Sequence, residues 1–425
     1  MVSFLYNGAV GAYFLAIRLA ALFNSKARRW VAGRRELSKD IPDALARIPR
    51  FESRKRIWMH CASLGEFEQG RPVLEGLREK NPDLVILLSF FSPSGYEAVK
   101  EYRVADAVFY LPEDNRRNAR WLVATLHPHL VLWVKYEFWR HFINALHTQG
   151  IPVLLLAGLF RKQQPFFRFY GAVWRDMLKG FRFFFLQNEA SASLLQGLGI
   201  RSMVVCGDSR FDRVLEIARS QEPLPGIGEF CGNRFVLVAG STWPNDEQIL
   251  LPYVSAHHDF VLIVAPHEID RARMLQLKSR FPGAMLHSEF SAGGYKTDPQ
   301  HGSRVLIIDS MGLLSRIYRY GQIAYVGGGF NRGGIHNVLE PAVYGMPVVF
   351  GPVYQKFSEA VELVHRGVGL PVANAEDFRK VMDQLRNNPD LLRKKSEDAA
   401  AYVKSRGGAT KVILDYIAEN RLLTS

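Results

Sequence analysis

Cysteine is scarce in this chain of 425 residues, which has only Cys61, Cys206 and Cys231 and no C-x-x-C pair. An odd number of widely separated cysteines does not build a disulfide framework, and the missing pair argues against a zinc site. Cys61 and Cys206 stand in apolar runs, where a cysteine usually packs as a small hydrophobic residue. We therefore expect the chain to reside in a reducing compartment.

The common motifs for metal ions and cofactors are missing as well. The chain has no D-x-D pair, and its glycine-rich run at Gly327 lacks the G-x-G-x-x-G spacing of a dinucleotide site. His267 and Glu268 do not form a zinc-binding H-E-x-x-H motif, because Arg271 stands where the second histidine is needed. We therefore expect no metal site and no bound cofactor.

Acidic residues are outnumbered, since 41 Asp and Glu face 54 Lys and Arg, and the formal net charge is +13. Such an excess favours an acidic partner: nucleic acid, an anionic membrane surface or a phosphorylated substrate. No recognised nucleic-acid-binding module accompanies the charge, so we expect no nucleic acid partner. A hydrophobic content of 48% is typical of a folded protein, and the length favours two domains.

One apolar segment, from Ser3 to Phe23, is about long enough to cross a bilayer as a helix. Asn7 and Arg18 interrupt it, and the Arg18 side chain could reach toward the interface. The residues that follow are basic: Lys26, Arg28, Arg29, Arg34 and Arg35. This flank predicts a membrane anchor at residues 1–25 with the remaining body in the cytoplasm. The alternative is a short helix that lies at the interface or packs on protein.

Apolar runs alternate with helix-length segments along most of the chain. The first half has seven such runs: Ile57 to Ala62, Leu84 to Phe90, Ala107 to Tyr110, Leu130 to Val134, Val153 to Ala157, Phe181 to Leu186 and Met203 to Cys206. The second half has five: Phe235 to Ala239, Phe260 to Ala265, Val305 to Ile308, Ile323 to Val326 and Val348 to Phe350. Runs that are apolar on both faces indicate parallel sheets covered by helices.

We therefore predict an α/β protein with two doubly wound, Rossmann-like domains that face each other across a cleft. Residues 219–233 are rich in Pro and Gly and are predicted to be a linker. The two domains then span 26–218 and 234–405. Residues 406–425 are predicted to form a C-terminal helix that packs back across the junction.

The run from Val326 to Pro352 holds two groups of glycines between strand-like segments. Gly327, Gly328 and Gly329 end the first strand, and Gly333 and Gly334 precede a helix predicted from about residue 337 to 344. Glycines suit a backbone that a ligand approaches, and a helix N-terminus suits a phosphate. The pattern predicts a nucleotide-sugar site; an ordinary turn whose glycines relieve crowding is the alternative.

A carboxylate follows the first strand of the first domain. The chain there reads HCASLGEFEQG from His60 to Gly70, and Glu66 stands where a helix begins. Glu66 could accept a proton from an acceptor hydroxyl, or it could simply stabilise the helix N-terminus.

Together these motifs resemble the 3-deoxy-D-manno-octulosonic acid (Kdo) transferases of lipopolysaccharide synthesis, which are inverting GT-B glycosyltransferases of the inner membrane. The resemblance covers nearly the whole chain. Its motifs in the first domain are His60-x-x-Ser-x-Gly-Glu66, Ser92-Pro-Ser-Gly95 and Gly207-x-x-Arg-Phe-Asp212. Those in the second are Gly240-Ser-Thr242, Asp309-Ser-Met-Gly312, Val326-Gly-Gly328, Gly333-Gly-x-His-Asn-x-Leu-Glu-Pro341 and Phe350-Gly-Pro352.

The resemblance implies CMP-Kdo as donor and the lipid A precursor (lipid IVA) as acceptor, at an anionic inner-membrane surface of a Gram-negative bacterium. It implies a catalytic base at Glu66 and a transition-state cation at Arg210. The predicted catalytic residues are Glu66, Lys135 and Arg210. The predicted CMP-sugar contacts are Ser241, Thr242, Pro266, His267, Met311, Gly312, Leu313, Gly333, Gly334, Asn337, Val338, Leu339 and Glu340. The predicted acceptor contacts are Ser94, Gly95 and Glu137.

Three motifs depart from the family pattern. Lys135 replaces the first glutamate of M-E-T-E-L-W-P, so either Glu137 takes its role or a cation serves the donor carboxylate. His267 and Glu268 stand where the family has Arg-His, and Leu313 replaces a glutamate. Two rivals remain open: a GT-B transferase or epimerase that uses a UDP-sugar, and an inactive membrane-tethered binding homologue.

Overall fold

The computed structural model describes residues 2–220, 222–294 and 303–423, and the chain forms two compact units. The first consists of Met1–Asp212 and Gly407–Ser425, and the second of Arg213–Arg406. Each unit is built on a single parallel sheet of seven strands. The boundary between the units falls within the helix Arg210–Ser220.

The sheet of the first unit confirms all seven predicted strands. They are β1 (Arg56–Cys61), β2 (Val85–Phe90), β3 (Ala107–Tyr110), β4 (Leu130–Val134), β5 (Val153–Gly158), β6 (Phe183–Leu186) and β7 (Met203–Val205). Their order is β3-β2-β1-β4-β5-β6-β7. Strands β1, β2 and β4 are buried along their whole length. Because their side chains are apolar on both faces, helices must cover both sides of the sheet.

The helices of the first unit are α1 (Val2–Ala20), α2 (Ser25–Ala32), α3 (Leu37–Ala46), α4 (Leu64–Lys80), α5 (Pro93–Val99), α6 (Arg116–Leu126), α7 (Arg140–Thr148), α8 (Ala172–Leu178) and α9 (Glu189–Gln196). α10 (Arg210–Ser220) leads into the second unit. The last helix of the chain, α20 (Ala409–Glu419), returns to the first unit. Its Leu414 packs on Gly76 of α4, where a Cβ atom would come within 2.7 Å of the leucine.

The second unit also has a parallel sheet of seven strands, two more than the sequence predicts. Its strands are β8 (Phe235–Thr242), β9 (Phe260–Pro266), β10 (Met285–Leu286), β11 (Val305–Ile307), β12 (Ile323–Val326), β13 (Val348–Phe350) and β14 (Gly369–Pro371). Their order is β10-β11-β9-β8-β12-β13-β14. The unpredicted strands β10 and β14 are the two edges, where short, partly exposed segments carry little hydrophobic pattern.

The helices of the second unit are α11 (Ile227–Cys231), α12 (Pro244–Ala256), α13 (Arg271–Arg280), α14 (His287–Glu289), α15 (Leu314–Ile317), α16 (Leu339–Ala342), α17 (Ser358–His365), α18 (Ala375–Arg386) and α19 (Pro389–Arg406). The helix predicted over residues 337–344 is only α16. It starts late because the Asn337 side chain accepts a hydrogen bond from the Leu339 N–H (3.0 Å), a turn interaction. It ends early because Gly345 adopts φ +76°.

The N-terminal helices form a bent pair. Among the described residues no single helix is both long enough and apolar enough to cross a bilayer. The segments Tyr6–Ala20 and Ser25–Ala32, which meet at an angle of 117°, reach the necessary length and apolar composition only when they are taken together. Three polar side chains of α1 bond to other parts of the first unit: Tyr6 to Asp114, Asn7 to His141 and Arg18 to Glu113. Arg18, which could reach toward a membrane interface, pairs with Glu113 at 2.6 Å and remains 54% exposed.

Candidate active site

In each sheet, successive strands are added first on one side of the first strand and then on its other side. Doubly wound proteins bind ligands at this switch point. In the first unit β1 lies between β2 and β4, with His60 opposite Trp133. In the second unit β8 lies between β9 and β12, with Gly240 opposite Val326. The loops that leave β1 and β4, and those that leave β8 and β12, therefore border the two crevices.

Glu66 lies in the first turn of α4, directly after β1. The spacing of Ser63 and Glu66 resembles a capping box, but the Ser63 side chain caps no backbone N–H of the helix. Its hydroxyl donates instead to the Glu66 carboxylate. The carboxylate is thus held by a side chain in the loop at the edge of the crevice.

Lys135 follows β4 on the other side of this crevice and has a left-handed backbone, with φ +64°. Such a conformation is costly for a residue other than glycine, and it is found at sites where the surroundings impose it. The Lys135 ammonium lies 4.9 Å from the centre of the Tyr136 ring. The Arg161 guanidinium lies 6.0 Å from the same ring. Two cations therefore flank an aromatic side chain at the end of β4.

Arg210 is held by a buried carboxylate that the sequence analysis missed. Asp208 accepts hydrogen bonds from the Arg210 guanidinium at 2.8 and 3.0 Å, from Gln69 at 2.8 Å and from Gln187 at 2.9 Å. Burial alone would raise the pKa of Asp208, but the attraction and hydrogen bonds of Arg210 hold it below its usual value, with a smaller effect from Lys135. The cation of Arg210 is therefore fixed in direction.

Tyr136 connects these groups electrostatically. Burial raises the pKa of its hydroxyl, and the charges of Arg161, Glu66, Arg210 and Asp208 act on the same pKa in smaller measure. Glu66 and Arg210 therefore lie within electrostatic reach of one side chain. The structure therefore places both predicted catalytic residues near Tyr136.

Glu137, in the loop after β4, ends a chain of hydrogen bonds that begins on β1 and β2. Trp58 Nε1 donates to the Ser89 hydroxyl at 2.8 Å, and Ser89 lies 2.9 Å from His60 Nδ1. His60 Nε2 lies 3.4 Å from the Glu137 carboxylate, which also accepts from Trp139 Nε1 at 3.0 Å. The His60 ring therefore links Ser89 to Glu137. The carboxylate of Glu137 is positioned from within the sheet.

Ser94 and Gly95, predicted acceptor contacts, begin α5. Ser94 is exposed, whereas Gly95 is buried and its N–H donates to Ser92 Oγ at 3.1 Å. A Cβ atom on Gly95 would come within 3.1 Å of the Leu64 backbone nitrogen. Gly95 therefore lets α5 approach the first turn of α4, which carries Glu66.

The glycines of the second unit have two different roles. A Cβ atom on Gly327 would be 2.3 Å from the Ser241 carbonyl, and one on Gly329 would be 2.5 Å from the Gly351 nitrogen. These glycines allow close packing of three loops, as the alternative interpretation of the run expects. A Cβ atom on Gly333 or Gly312 would meet no atom within 4 Å. These two glycines border open space.

Asp246, in the first turn of α12, ties the loops around the second crevice together. Its buried carboxylate accepts hydrogen bonds from the Trp243 N–H, the Gly328 N–H (both 2.9 Å) and the Tyr325 hydroxyl (2.8 Å). Burial raises the pKa of Asp246, and the three donors counteract that effect. Sequence reasoning missed Asp246, because its partners lie 3, 79 and 82 positions away.

Three rings are stacked at the carboxyl ends of β8, β9 and β12. His267 lies between Trp243 (ring centres 4.7 Å apart) and His336 (4.3 Å). Trp243 Nε1 donates to His336 Nε2 at 3.2 Å, so the proton of His336 is on Nδ1. Burial, with a smaller effect from His267, lowers the pKa of His336 to about 4. The stack therefore contains a neutral His336 at physiological pH.

The other predicted donor contacts differ in accessibility. Ser241 has φ +53° and is half-buried, whereas Thr242 is buried and donates to Glu247 at 3.2 Å. Pro266, Val338 and Leu339 are buried, and Leu313 is half-buried. Met311 and Asn337 are exposed to solvent.

Glu340 accepts a hydrogen bond from Asn337 Nδ2 at 3.0 Å. Gly334, with φ +89°, is buried against Phe357. Within the described residues, no three His, Cys, Asp or Glu side chains converge as metal ligands.

Residues 39–213 match the family described as 3-deoxy-D-manno-octulosonic-acid transferase (kdotransferase). A 3-deoxy-D-manno-octulosonic acid transferase of Rickettsia felis is 25% identical over 86% of this chain and 78% of its own length. The protein of that name from Aquifex aeolicus is 27% identical over 77% of this chain and 85% of its own length. A bifunctional glycosyltransferase/methyltransferase of Fusobacterium nucleatum is 28% identical over 83% of this chain, which spans only 55% of that relative.

Solved structures with the same fold extend over most of the chain. A UDP-GlcNAc 2-epimerase from Neisseria meningitidis covers 86% of this chain and 100% of its own, with a TM-score of 0.53 and 14% identity. The Acinetobacter baumannii protein MurG covers 86% of this chain and 99% of its own, with a TM-score of 0.52 and 13% identity. These likenesses confirm the predicted GT-B-type pair of Rossmann-like domains.

Proposed function

We infer from its membership of the Kdo transferase family that this glycosyltransferase moves Kdo from CMP-Kdo to the lipid A precursor, with inversion at the anomeric carbon. One observation supports this assignment most strongly. Glu66 lies at the crevice of the first unit, with its carboxylate bonded to Ser63, and both Glu66 and Arg210 act electrostatically on the Tyr136 hydroxyl. A proton acceptor beside a fixed cation is what a direct displacement by a sugar hydroxyl needs.

In the proposed reaction the Glu66 carboxylate removes the proton from a hydroxyl of the acceptor sugar. That oxygen forms a bond to the anomeric carbon of Kdo as the bond from this carbon to the phosphate oxygen of CMP breaks. The electron pair leaves with CMP, and the proton remains on Glu66 until solvent removes it. Because attack and departure occur on opposite faces of the carbon, the configuration inverts.

The cations of the first crevice supply the electrostatic part. Arg210 is fixed by Asp208 and would stabilise negative charge that develops on the leaving phosphate or is carried by the donor carboxylate. Lys135, which replaces the glutamate of the family pattern, would serve the same donor carboxylate. Glu137, held by His60 and Trp139, would contact the acceptor together with Ser94 and Gly95.

The second unit would hold CMP over the stacked rings and the open glycines. His267 is exposed at the stack formed with Trp243 and His336, and an exposed ring can pack on a pyrimidine. The open backbone at Gly312 and Gly333 would admit the ribose and phosphate. Ser241, Met311, Asn337 and Glu340 would complete this pocket, and Thr242, Pro266, Leu313, Gly334, Val338 and Leu339 would shape it.

We also propose that the protein works at the cytoplasmic face of the inner membrane. Apolar side chains are exposed on α1 and the following turn, among them Leu19, Leu22 and Phe23, the last exposed to 90%. Phe169 and Tyr170 are exposed in a second place, beside the basic Arg168. Exposed apolar groups flanked by cations are typical of proteins that dock on anionic lipid.

The decisive experiment incubates the full chain with CMP-Kdo and tetraacyl lipid A precursor and analyses the product by mass spectrometry. A mass increase by Kdo units supports the assignment and counts them. Binding of UDP rather than CMP in a thermal-shift assay, with no product, would instead favour the UDP-sugar alternative. Binding of CMP without any transfer would favour the inactive homologue.

A further inference from the structure

A cavity of about 1070 Å³ lies within the first unit, bordered by α1, α6 and α7. Its volume is comparable with that of ligand sites in other proteins. None of its lining residues belongs to the predicted catalytic, donor or acceptor residues. One face of α1 forms its roof, at intervals of three and four residues: Asn7, Val10, Gly11, Phe14 and Arg18.

The floor of the cavity is basic. Arg116 and Arg120 are exposed on one face of α6, four residues apart, and neither forms an ion pair with a residue that the structure describes. Arg140, which pairs with Asp176 at 3.7 Å, and His141, whose Nε2 lies 2.8 Å from Asn7 Oδ1, border it from the first turn of α7, and His147 borders it from the end of that helix. Several cationic or protonatable groups therefore border one space.

The two acidic residues of the lining are already engaged. Glu113 accepts two hydrogen bonds from Arg18, at 2.6 and 2.8 Å. Asp114 is buried and accepts hydrogen bonds from the Tyr6 hydroxyl at 2.7 Å and from the N–H groups of His141 (3.1 Å) and Phe142 (3.2 Å). Among the described residues neither Arg116 nor Arg120 has an ion-pair partner, and the four arginines of the lining outnumber its two carboxylates, which favours an anionic ligand.

Exposed leucines stand next to the cavity-lining face of α1. Leu15 and Leu19 are exposed to 54% and 57%, and Leu22 in the next turn to 67%. A helix that places Asn7 and Arg18 over a basic cavity and exposed leucines beside them borders two environments, one suited to phosphate and one to hydrocarbon. An amphiphile with a charged head and apolar chains matches both.

We propose that the cavity between α1, α6 and α7 binds the phosphate head group of an anionic phospholipid, whose acyl chains lie against the exposed leucines of α1. Arg116 and Arg120 hold the phosphate, and Gly11 leaves the space that the head group occupies. A Cβ atom on Gly11 would meet no atom within 4 Å. This site anchors the first unit to lipid whether or not the chain transfers Kdo.

The test measures binding of dihexanoylphosphatidylglycerol, below its micelle concentration, to the full chain by isothermal titration calorimetry. The double variant Arg116→Ala/Arg120→Ala should weaken binding roughly tenfold or more, since each cation near a lipid phosphate contributes about 1 kcal/mol. Gly11→Leu keeps every charge but fills the cavity, and it should weaken binding to a similar extent.

The matched control Lys26→Ala/Arg28→Ala removes the same charge from α2, outside the cavity, and should leave the affinity unchanged. Equal weakening in the control would show diffuse attraction and overturn the proposal. Equal binding of dihexanoylphosphatidylcholine, which has no net charge, would overturn it too. Inorganic phosphate that binds as tightly as the lipid would assign the cavity to a free anion instead. Melting temperatures of all variants verify that the fold is intact.

Discussion

The crevices of the two units occupy the same point of similar topologies and carry different chemistry. At the first, between the ends of β1 and β4, charged side chains predominate: Glu66, Lys135 and Arg210, with Glu137 nearby. At the second, between the ends of β8 and β12, the border consists of glycine backbone and the stacked rings around His267. Each crevice also contains a left-handed residue other than glycine, Lys135 or Ser241.

The difference indicates a division of tasks. Removal of a proton and stabilisation of charge require titratable side chains, which the first unit holds in place by hydrogen bonds. Binding of a nucleotide requires open backbone and flat surfaces, which the second unit provides by packing loops together through Asp246. We expect substitutions in the first crevice to change rate and those in the second to change binding and stability.

The largest effect is expected from Glu66→Gln. This change keeps the size of the side chain and its bond to Ser63 but removes the proton acceptor, so kcat should fall by about 10²- to 10⁴-fold. The affinity for CMP should stay the same. Rates of Kdo transfer and CMP titration measure the two quantities.

Glu68→Gln is the matched control, because Glu68 lies two residues further along α4 and pairs with Arg71 at 3.6 Å. Transfer by this control should be near normal. A Glu66→Gln enzyme with full activity would remove Glu66 from the mechanism and direct attention to Glu137.

The second crevice should be most sensitive to Asp246→Ala. The change leaves three donors in the interior without their acceptor, so the free energy of unfolding should fall by about 3 kcal/mol. CMP affinity should fall as the Gly328 turn loosens. Chemical denaturation and calorimetry measure both.

Tyr325→Phe removes one of the three donors, and its expected loss is about 1 kcal/mol. Asn245→Ala, at a neighbouring position of α12 outside this network, should have little effect. Equal stability of the Asp246 and Asn245 variants would contradict the proposal that the hydrogen bonds of Asp246 hold these loops together.

A smaller effect should follow Lys135→Gly. Glycine adopts φ +64° without cost, so stability should be unchanged or rise by up to about 1 kcal/mol. Loss of the cation should reduce kcat/KM about tenfold if Lys135 serves the donor carboxylate. Kinetics and thermal unfolding separate the two effects.

Ala157→Gly provides the matched backbone control, because Ala157 also has a left-handed conformation, with φ +52° at the end of β5. It should reproduce the stability change without the kinetic loss. An unchanged kcat/KM in Lys135→Gly would show that the ammonium has no part in the reaction.

The smallest effect concerns the pH dependence of the second unit. The pKa of His336 is about 4 in the folded chain, below the usual value of 6.5. As pH falls, the unfolded chain therefore becomes protonated at this histidine at a higher pH than the folded chain does. The stability contributed by neutral His336 is complete above about pH 6.5 and declines between pH 6.5 and 4. With a discount for partial exposure, the loss at about pH 5 is on the order of 1 kcal/mol.

His336→Gln should flatten this part of the stability profile, as measured by chemical denaturation at about pH 7 and about pH 5. His258→Gln, at an exposed histidine of the same unit, should retain the decline. A wild-type profile that is flat over this range would contradict the neutral, hydrogen-bonded state of His336.

Much of the fold was predictable because its signals are local. Strands such as β4 and β9 are continuous apolar runs, and the turn before α4 is recognisable from Gly65 and Glu66. The edge strands β10 and β14 escaped prediction because they are two and three residues long and not fully buried. The helix after Gly334 was predicted too long, because the bond between Asn337 and Leu339 replaces its first turn.

The supporting residues of the site were not predictable in the same way. Gln69 and Asp208 are 139 positions apart, and Trp243 and His336 are 93 apart. Glu66 was a candidate from its position after the first strand, whereas the role of Arg210 came from a family resemblance. Asp208, which orients Arg210, has no motif of its own.

The sequence by itself determined the twin parallel sheets and the places where their loops carry glycines and charges, because hydrophobic burial and turn chemistry act over a few residues. Only the tertiary structure decided what those residues do. It assigned Gly327 and Gly329 to close packing of backbone and left Gly312 and Gly333 open, and it paired Arg18 with Glu113. The physical reason is that a hydrogen bond or a steric contact is defined by both partners, and folding brings partners together from distant parts of the chain.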